Sequence, residues 1–516
     1  MNASRPTLAL IGFLVLAGPA ARAQTFPTDD PVIRSIWEEG MTARSQVEPL
    51  AQVLLDSIGP RLTGSPGHLA AVEWLQRTYA GWDIPVRREQ YGTWRGWRRG
   101  YTHLDLTAPR QRTLNGTLLG WSPGTNGPVE GDVVAAPDVP DSAAFSRWLP
   151  SARGRFVLWS FPEPTCRPDD NWDRLARPET VERLRQERSR AETAWLTRSR
   201  RYGRNAIARL EAAGAAGLLT ANWSNGWGAN KIFDTDTDRI PSVHLSCEDY
   251  GLLHRLASRS QGPRLRLDAR SEALGPVPVF NVVAELKGST WPDQYVLLSA
   301  HLDSWDGASG ATDNGTGTLT MLEAMRLLKA AYPNPKRTIL VGHWGGEEQG
   351  LIGSRAFAED HREVAEGLQA MFNQDNGTWR VDYIRMMGLS GAGASFGRWF
   401  GRIPREITSL VTLDIPGEPE RGGSDHMSLL CEGGPAFRLQ SHYPDYRQYT
   451  WHTDLDTYDK IVFDDLRNNA TLAAMLAYLA SEDPERVPRD RRVLPPGPGG
   501  QPQTWPGCGR PRRSFR

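Results

Sequence analysis

Histidines and acidic residues stand at the ends of several apolar segments of this sequence, where they could hold metal ions. His301 and Asp303 directly follow the apolar run at 295–300, and Glu347 with Glu348 follows another such run. The complete set is His301, Asp303, Asp313, Glu347, Glu348, Asp375 and His452. Zinc binds imidazole nitrogens and carboxylate oxygens, and a catalytic zinc keeps one coordination position open. These residue types therefore indicate metal-assisted hydrolysis.

Two imidazoles and three carboxylates suffice for two metal ions if one carboxylate bridges the pair. Paired ions about 3.5–4 Å apart can share one hydroxide. A further carboxylate beside that hydroxide can act as a general base. Each residue also has an explanation without chemistry, such as a helix N-cap for Asp313 or a solvated loop charge for Glu347. Because the whole set falls where strands are predicted to end, we favour a common site.

The residues from 276 onward alternate between predicted strands and predicted helices. Such alternation is typical of an α/β fold, here a mostly parallel mixed sheet with helices on both faces. Ligands of open α/β sheets bind beyond the carboxyl ends of the strands, which is where the candidate residues fall. The predicted strands are 295–300, 338–341 and 368–372, and the predicted helices are 319–330, 351–358 and 463–480.

The length of 516 residues exceeds what one compact core accommodates, so we expect more than one domain. Residues 129–275 have the character of a small α/β insert, in which 167–203 is an exposed helical excursion rich in Arg and Glu. The insert would divide a larger domain into residues 27–128 and 276–483. The tail 484–516 is rich in Pro, Gly and Arg, and we expect it to be extended or disordered.

The N-terminus has the pattern of a secretory signal peptide, which we assign to residues 1–23. Arg5 provides a positive start, residues 8–17 are apolar, and Ala21-Arg22-Ala23 is a small-x-small cleavage site. The apolar run is too short to cross a bilayer, and no other run reaches about 18 apolar residues. We therefore expect an exported protein, periplasmic or extracellular, without an integral membrane segment in the mature chain.

The cysteines fit an oxidising compartment, where disulfides form and persist. The chain has four, Cys166, Cys247, Cys431 and Cys508, which allow three pairings. Cys166 and Cys247 both fall inside the insert, so we favour a disulfide between these two.

Short runs around the candidate residues resemble the M28 family of zinc exopeptidases. The runs are 58–65 (IGPRLTGS), 300–306 (AHLDSWD), 311–315 (ATDNG), 346–350 (GEEQG), 373–377 (NQDNG), 423–426 (GSDH) and 451–453 (WHT). Ser304-Trp305-Asp306 is similar to the carboxypeptidase Q branch of that family. The resemblance covers residues 30–480, and the insert at 129–275 resembles a protease-associated domain.

This resemblance implies two Zn²⁺ per chain and a ligand role for five residues. His301 and Asp375 would bind one zinc ion, and Glu348 and His452 would bind the other. Asp313 would bridge the two ions.

The resemblance also implies how the proton is handled. Glu347 would be the general base for a metal-bridging hydroxide and then the proton donor to the leaving amine. Asp303 would hydrogen-bond to His301 and fix its tautomer. Ser424, Asp425 and His426 would line the substrate pocket.

The implied activity is hydrolysis of terminal peptide bonds in short peptides or dipeptides, as an aminopeptidase or dipeptidase. A true carboxypeptidase is the alternative, because only the pocket for the free terminus distinguishes it. Two other functions are a catalytically inactive binding protein of transferrin-receptor-like type and a glutaminyl cyclase. The complete ligand set opposes the first, and Asp313 together with the insert opposes the one-zinc cyclase.

The composition bears on the partners of the chain. Lys plus Arg and Asp plus Glu number 60 each, and this zero net charge gives no indication of a nucleic-acid partner. Short peptides are the expected substrates, and the sequence leaves a homodimer open.

Overall fold

The structure, a computed structural model, describes residues 28–515 of the chain. The predicted signal peptide, residues 1–23, lies outside this range. The helices are α1 Pro31–Gly40, α2 Val47–Ala51, α3 Pro66–Gly81, α4 Ser142–Trp148, α5 Asp169–Leu175, α6 Pro178–Arg201, α7 Ala206–Ala213, α8 Cys247–Ser258, α9 Thr316–Ala331, α10 Ile352–Asp360, α11 Arg362–Gly367, α12 Ala392–Phe400, α13 Arg405–Thr408, α14 His426–Leu430 and α15 Phe463–Glu482. The strands are β1 Val86–Ala108, β2 Arg112–Thr113, β3 Gly116–Leu118, β4 Val129–Ala135, β5 Phe156–Leu158, β6 Gly217–Thr220, β7 Ser242–Leu245, β8 Arg264–Leu286, β9 Trp291–His301, β10 Arg337–Trp344, β11 Leu368–Gln374, β12 Tyr383–Arg385, β13 Thr412–Asp414 and β14 Ala436–Gln440.

A central sheet carries its strands in the order β13-β12-β14-β11-β9-β10-β8. Strand β9 pairs in parallel with β10 and with β11, and β11 pairs in parallel with β14. The antiparallel pairs β10–β8 and β12–β14 make the sheet mixed. The predicted α/β fold with a mostly parallel mixed sheet is confirmed.

Helices cover both faces of this sheet. His343 and Trp344 are consecutive in β10, so their side chains point to opposite faces. The His343 ring nitrogen Nε2 lies 2.8 Å from the hydroxyl of Tyr79 in α3, whereas the Trp344 ring packs 4.9 Å from that of Phe357 in α10. Every residue of β10 is buried, as expected for a strand covered on both sides.

Local sequence explains where α3 begins. Ser65 caps the helix, because its hydroxyl accepts a hydrogen bond from the backbone N–H of His68 at 3.2 Å. Pro66 follows at the first helical position, where its missing N–H costs nothing. Gly64 just before the cap has φ +79°, a conformation that glycine adopts without strain.

The insert continues the sheet through β4-β5-β6-β7-β3. The strands β4, β5, β6 and β7 pair in parallel, and β3 closes the edge as an antiparallel strand. The predicted start at 129 is too late, because β3 already belongs to this sheet, and β8 runs without interruption through the predicted end at 275. Its assignment as a protease-associated domain stays a prediction.

The excursion predicted at 167–203 is helical. It contains α5 and the 24-residue helix α6, of which only Val181 is buried. Most of α6 is exposed, and it contacts the core of the insert mainly through the partly buried Trp195, whose ring lies 5.7 Å from that of Trp159.

The tail was expected to be extended or disordered; residues 484–515 have one short 3-10 helix, Pro498–Gly500, and are otherwise irregular, but they are anchored to the rest of the fold. Cys508 forms a disulfide with Cys431, and the ring of Phe515 packs 5.5 Å from that of Trp94 in β1. Composition misleads here because a few anchoring side chains hold a segment that buries little else. The favoured pairing Cys166–Cys247 is confirmed.

Within residues 28–515, no helix combines the length and the apolar character needed to cross a membrane.

The tail disulfide should contribute measurably to stability. It joins residues 77 positions apart, and cross-links over long loops typically stabilise proteins by about 2–4 kcal/mol. We expect the double variant Cys431→Ser, Cys508→Ser to lose about this much free energy of unfolding in urea titrations. Gln501→Ser, an exposed change in the same tail, is the control. An unchanged urea midpoint in the double variant would contradict this expectation.

Candidate metal centre

The strand ends bring the predicted ligands to one edge of the sheet. His301 is the last residue of β9, and Asp375 follows the last residue of β11. These strands are parallel neighbours, so their carboxyl ends meet at the same edge. Glu347 and Glu348 follow β10, which pairs with β9 on its other side. The sheet therefore gathers four of the predicted residues.

Two groups of nitrogen and oxygen atoms meet at this edge. In the first, His301 Nε2 is 3.4 Å from Asp313 Oδ1 and 3.8 Å from Asp375 Oδ1. In the second, His452 Nε2 is 3.0 Å from Glu348 Oε2 and 3.2 Å from Asp313 Oδ2. Within each group, the possible ligand atoms lie within 4.8 Å of one another. Asp313 gives one carboxylate oxygen to each group and so joins them.

The chemistry of these groups fits metal ions. His301 Nε2, Asp313 Oδ2 and Glu348 Oε1 are buried and have no hydrogen-bond partner among the described residues. A buried polar atom without a partner costs about 1–3 kcal/mol. Metal ions would satisfy these atoms, and the imidazole and carboxylate donors are those that zinc takes. Metal ions would also compensate the negative charge that several carboxylates place at one buried point.

Asp456 holds the turn that carries Asp313, and sequence reasoning missed this residue. Its carboxylate accepts hydrogen bonds from the backbone N–H groups of Thr312 and Asp313, at 2.8 and 3.0 Å. The turn Ala311–Gly315 immediately precedes α9. Asp456 lies four residues after His452, and this proximity to a ligand was the signal available.

Arg61 supports the same turn from the other side, and it too was missed as an individual residue. Its buried guanidinium donates hydrogen bonds to the carbonyls of Leu302 at 2.7 Å, Ser309 at 2.6 Å and Gly310 at 2.9 Å. The arginine thus ties the end of β9 to the start of the Asp313 turn.

Asp303 acts through different atoms than predicted. The Nδ1 atom of His301 lies 3.0 Å from the backbone carbonyl of Asp303 but 3.7 Å from its carboxylate. The carboxylate instead accepts hydrogen bonds from the backbone N–H groups of Glu347 at 3.1 Å and Glu348 at 3.3 Å. Asp303 therefore fixes the His301 ring with its main chain and positions the glutamate pair with its side chain.

The surroundings of Glu347 disfavour its charged form. Burial raises the pKa of Glu347 well above its ordinary value, His301 opposes this, and the carboxylates of Asp375 and Asp425 raise the pKa further. Burial likewise raises the pKa of Glu348, to about 7. Such crowding of acids is typical of functional sites.

The predicted pocket residues Ser424 and His426 contact other residues inside the fold. Both are fully buried; the Ser424 hydroxyl accepts a hydrogen bond from Asn373 at 3.0 Å, and His426 Nε2 lies 3.0 Å from the carboxylate of Glu420. Asp425 is also buried, yet neither of its carboxylate oxygens has a hydrogen-bond partner among residues 28–515. Unpaired polar atoms thus remain on two of the three predicted pocket residues, the carboxylate of Asp425 and the imidazole of His426.

Comparison with known proteins identifies the family. The profile of peptidase family M28 matches residues 281–477, a span that contains all five predicted metal ligands. Residues 281–477 therefore form a peptidase family M28 domain. The chain is a metallo-exopeptidase. It is 27% identical to carboxypeptidase Q of Xenopus laevis over 478 residues, covering 89% of this chain and 91% of that protein.

Other relatives agree with this assignment. Human carboxypeptidase Q is 27% identical over 461 residues, which cover 87% of this chain and 88% of that protein. The fold resembles that of a peptidase M28 precursor from Shewanella amazonensis, with a TM-score of 0.66, 24% identity and coverage of 90% of this chain and 98% of that one. It also resembles the zinc aminopeptidase of Bacillus subtilis, with a TM-score of 0.56, 19% identity and coverage of 85% and 94%.

The role of Asp456 can be tested by one substitution. In Asp456→Asn, an amide NH₂ group replaces one of the two oxygens that accept hydrogen bonds from the backbone N–H groups of Thr312 and Asp313. One of these bonds is then lost, so the turn that carries Asp313 should loosen. We expect zinc affinity to fall about 10–100-fold, as is usual when a residue supporting metal ligands is changed. Zinc titration against a competing chelator measures this. Asp459→Asn, in the same segment but exposed, should bind zinc as the parent does; equal affinity in both variants would refute the role of Asp456.

Proposed function

We propose that this protein is a two-zinc exopeptidase that removes terminal residues from short peptides or dipeptides, as an aminopeptidase or dipeptidase. The observation that carries the proposal is the division of Asp313 between two groups of zinc-type donors. His301 and Asp375 would hold one ion, Glu348 and His452 the other, and Asp313 both. Zinc at these residues supplies a Lewis acid that polarises the scissile carbonyl and lowers the pKa of a water molecule.

Glu347 is the proposed general base. It neighbours Glu348 in sequence, and its backbone N–H is held by Asp303 at 3.1 Å. Its carboxylate takes the proton of the attacking water and returns it to the nitrogen of the departing amine.

The charges around the metal groups favour a substrate with a free amine. Asp425 offers two carboxylate oxygens without hydrogen-bond partners among the described residues. The nearby cation Arg438 is already neutralised, because its guanidinium lies 3.5 Å from the carboxylate of Asp375 and 3.6 Å from that of Glu420. With the metal ligands neutralised by zinc, the carboxylate of Asp425 can still accept from an amine, whereas a substrate carboxylate finds no free donor at Arg438. A true carboxypeptidase is therefore the less favoured alternative.

The remaining alternatives also fit less well. A binding protein that had lost catalysis would not need the base Glu347 beside a full set of donors. A one-zinc glutaminyl cyclase would not need Asp313 to face a second group. Short peptides are thus the proposed partners, and nothing in the charge balance calls for nucleic acid.

We also propose that the protein is exported to the periplasm or the extracellular space. Two disulfides within the described residues support this, because disulfides are rare in reducing compartments.

If Glu347 is the general base and not a metal ligand, replacing it should remove catalysis without removing the metal ions. Glu347→Gln should lower kcat about 10²–10⁴-fold, the usual contribution of a general base, while both zinc ions stay bound. Metal analysis and hydrolysis of an aminoacyl anilide check this on the same sample. His301→Ala should lose metal as well as activity, and Glu366→Gln, on an exposed residue, should change neither. Loss of zinc from Glu347→Gln would mean that Glu347 is a ligand instead.

Substrates with different termini test the specificity. We expect hydrolysis of free-amine aminoacyl anilides and of unblocked dipeptides, and none of N-blocked peptides, because an acylated amine carries no positive charge to pair with the acids near the metals. Liquid chromatography of the products measures cleavage. Hydrolysis of N-blocked peptides with a free carboxylate would reassign the protein as a carboxypeptidase.

A further inference from the structure

A segment of the insert lies directly against the loop that carries His452. The backbone N–H of Ile232 donates to the carbonyl of His452 at 2.7 Å, and the N–H of Asp454 donates to the carbonyl of Asn230 at 3.0 Å. Lys231 and Thr453 form an antiparallel bridge between these two bonds. We call residues 230–233 the docking segment. The docking segment thus connects His452, in the second metal group, to the insert. The residues of the first metal group lie outside the insert.

The two histidines of the centre are fixed in different ways. A metal-binding histidine usually has its other ring nitrogen held by a hydrogen bond. His301 follows this rule, because its Nδ1 lies 3.0 Å from the carbonyl of Asp303. His452 departs from it: its Nδ1 is buried and has no hydrogen-bond partner among residues 28–515. Its orientation must come from its backbone and from the rings around it.

The backbone of His452 is itself in an unfavourable conformation. Its φ is +55°, in the left-handed region, which costs a residue other than glycine about 1–3 kcal/mol unless its surroundings impose it. The hydrogen bond from Ile232 to the carbonyl of His452 is one such constraint. A second comes from Lys231, whose ammonium donates to the carbonyl of Trp451, the preceding residue.

Aromatic rings fix the plane of the imidazole. The ring of Trp451 stacks on it at 3.8 Å, and Phe233 of the docking segment meets it edge-on at 5.1 Å. Trp305 approaches from a third direction at 5.8 Å. In this setting His452 Nε2 points to Glu348 and Asp313 at 3.0 and 3.2 Å.

Asn230 anchors the docking segment. Its side chain is fully buried and donates to the carboxylate of Asp454 at 2.9 Å, and its backbone N–H donates to the same carboxylate at 2.8 Å. On the other side, its amide bonds to Asn115 at 2.9 Å and lies 3.2 Å from Nδ1 of His244 in β7. Asn230 thus connects the sheet of the insert to the loop two residues after His452.

We propose that the docking segment, with Asn230 as its anchor, is the positioning element of the second metal site, so that zinc binding by Asp313, Glu348 and His452 depends on the insert. Asn230 is a positioning residue and touches neither metal nor substrate. The inference rests on the proposed two-zinc function. It gives the insert a role in assembling the metal centre.

The test uses the full chain and zinc alone as the probe. Asn230→Ala should weaken the second site about 10–100-fold, the usual effect of removing a residue that orients a ligand, and leave the first site unchanged. At a free zinc concentration that fills both sites of the parent, bound zinc should then fall from two ions to one. Added zinc should restore turnover, because the chemistry itself is intact. Asn126→Ala, on an exposed asparagine, is the matched control.

A second variant allows the same test if Asn230→Ala does not fold. Phe233→Leu removes only the ring that meets His452 and should weaken the same site selectively. Two zinc ions bound with parent affinities in both variants would overturn the inference while leaving the proposed function intact. Equal weakening of both sites, with a lowered melting temperature of the metal-free protein, would show a merely structural role and also overturn it. A parent protein that binds fewer than two zinc ions would instead refute the proposed function itself.

Discussion

The shared carboxylate of Asp313 is the constraint on which the metal centre depends. Each of its oxygens faces a different histidine, at 3.4 and 3.2 Å, so the position of one side chain sets the separation of both groups. Its turn is therefore held from two distant parts of the chain. Asp456 binds the N–H groups of the turn from 143 positions downstream, and Arg61 binds carbonyls at the start of the turn from upstream. Buried acids at such density also require cations, and this need links the folded state to its metal ions.

The two halves of the centre have different mechanical support. His301 and Asp375 stand at the ends of neighbouring parallel strands, whose backbone hydrogen bonds fix them. His452 stands on a loop without such a ladder, and its support comes from an insert that the chain completed about two hundred residues earlier. A site on rigid strands holds its geometry unaided, whereas a site on a loop needs a partner. This difference in support gives the insert a function in the metal centre that is not evident from its distance from His452 in the sequence.

Sequence reasoning predicted the sheet, which is confirmed, and a set of candidate ligands, which the structure brings together, because both follow local rules. The alternation of predicted strands and predicted helices indicates a parallel sheet. Candidate ligands such as His301 follow the ends of its strands. The roles of Asp456, of Asn230 and of the Asp303 carbonyl that holds His301 were not predicted, because each depends on contacts that only folding brings together. No residue type or spacing in the sequence indicates which side chain accepts the hydrogen bond from the backbone N–H of Asp313. The anchoring of the tail was not predicted for a related reason: its Pro- and Arg-rich composition indicates no fixed position, whereas a disulfide, the ring of Phe515 and several arginine side chains hold it on the fold.

The disulfide Cys166–Cys247 has a consequence beyond the insert. It closes a loop of 81 positions, and that loop contains residues 230–233, which contact the His452 loop. A cross-link that reduces the conformational freedom of the unfolded insert also reduces the entropy lost when those residues meet their target. If the docking segment positions His452 as proposed, oxidation of this one cysteine pair and occupancy of a metal site about two hundred residues further along the chain are thermodynamically linked.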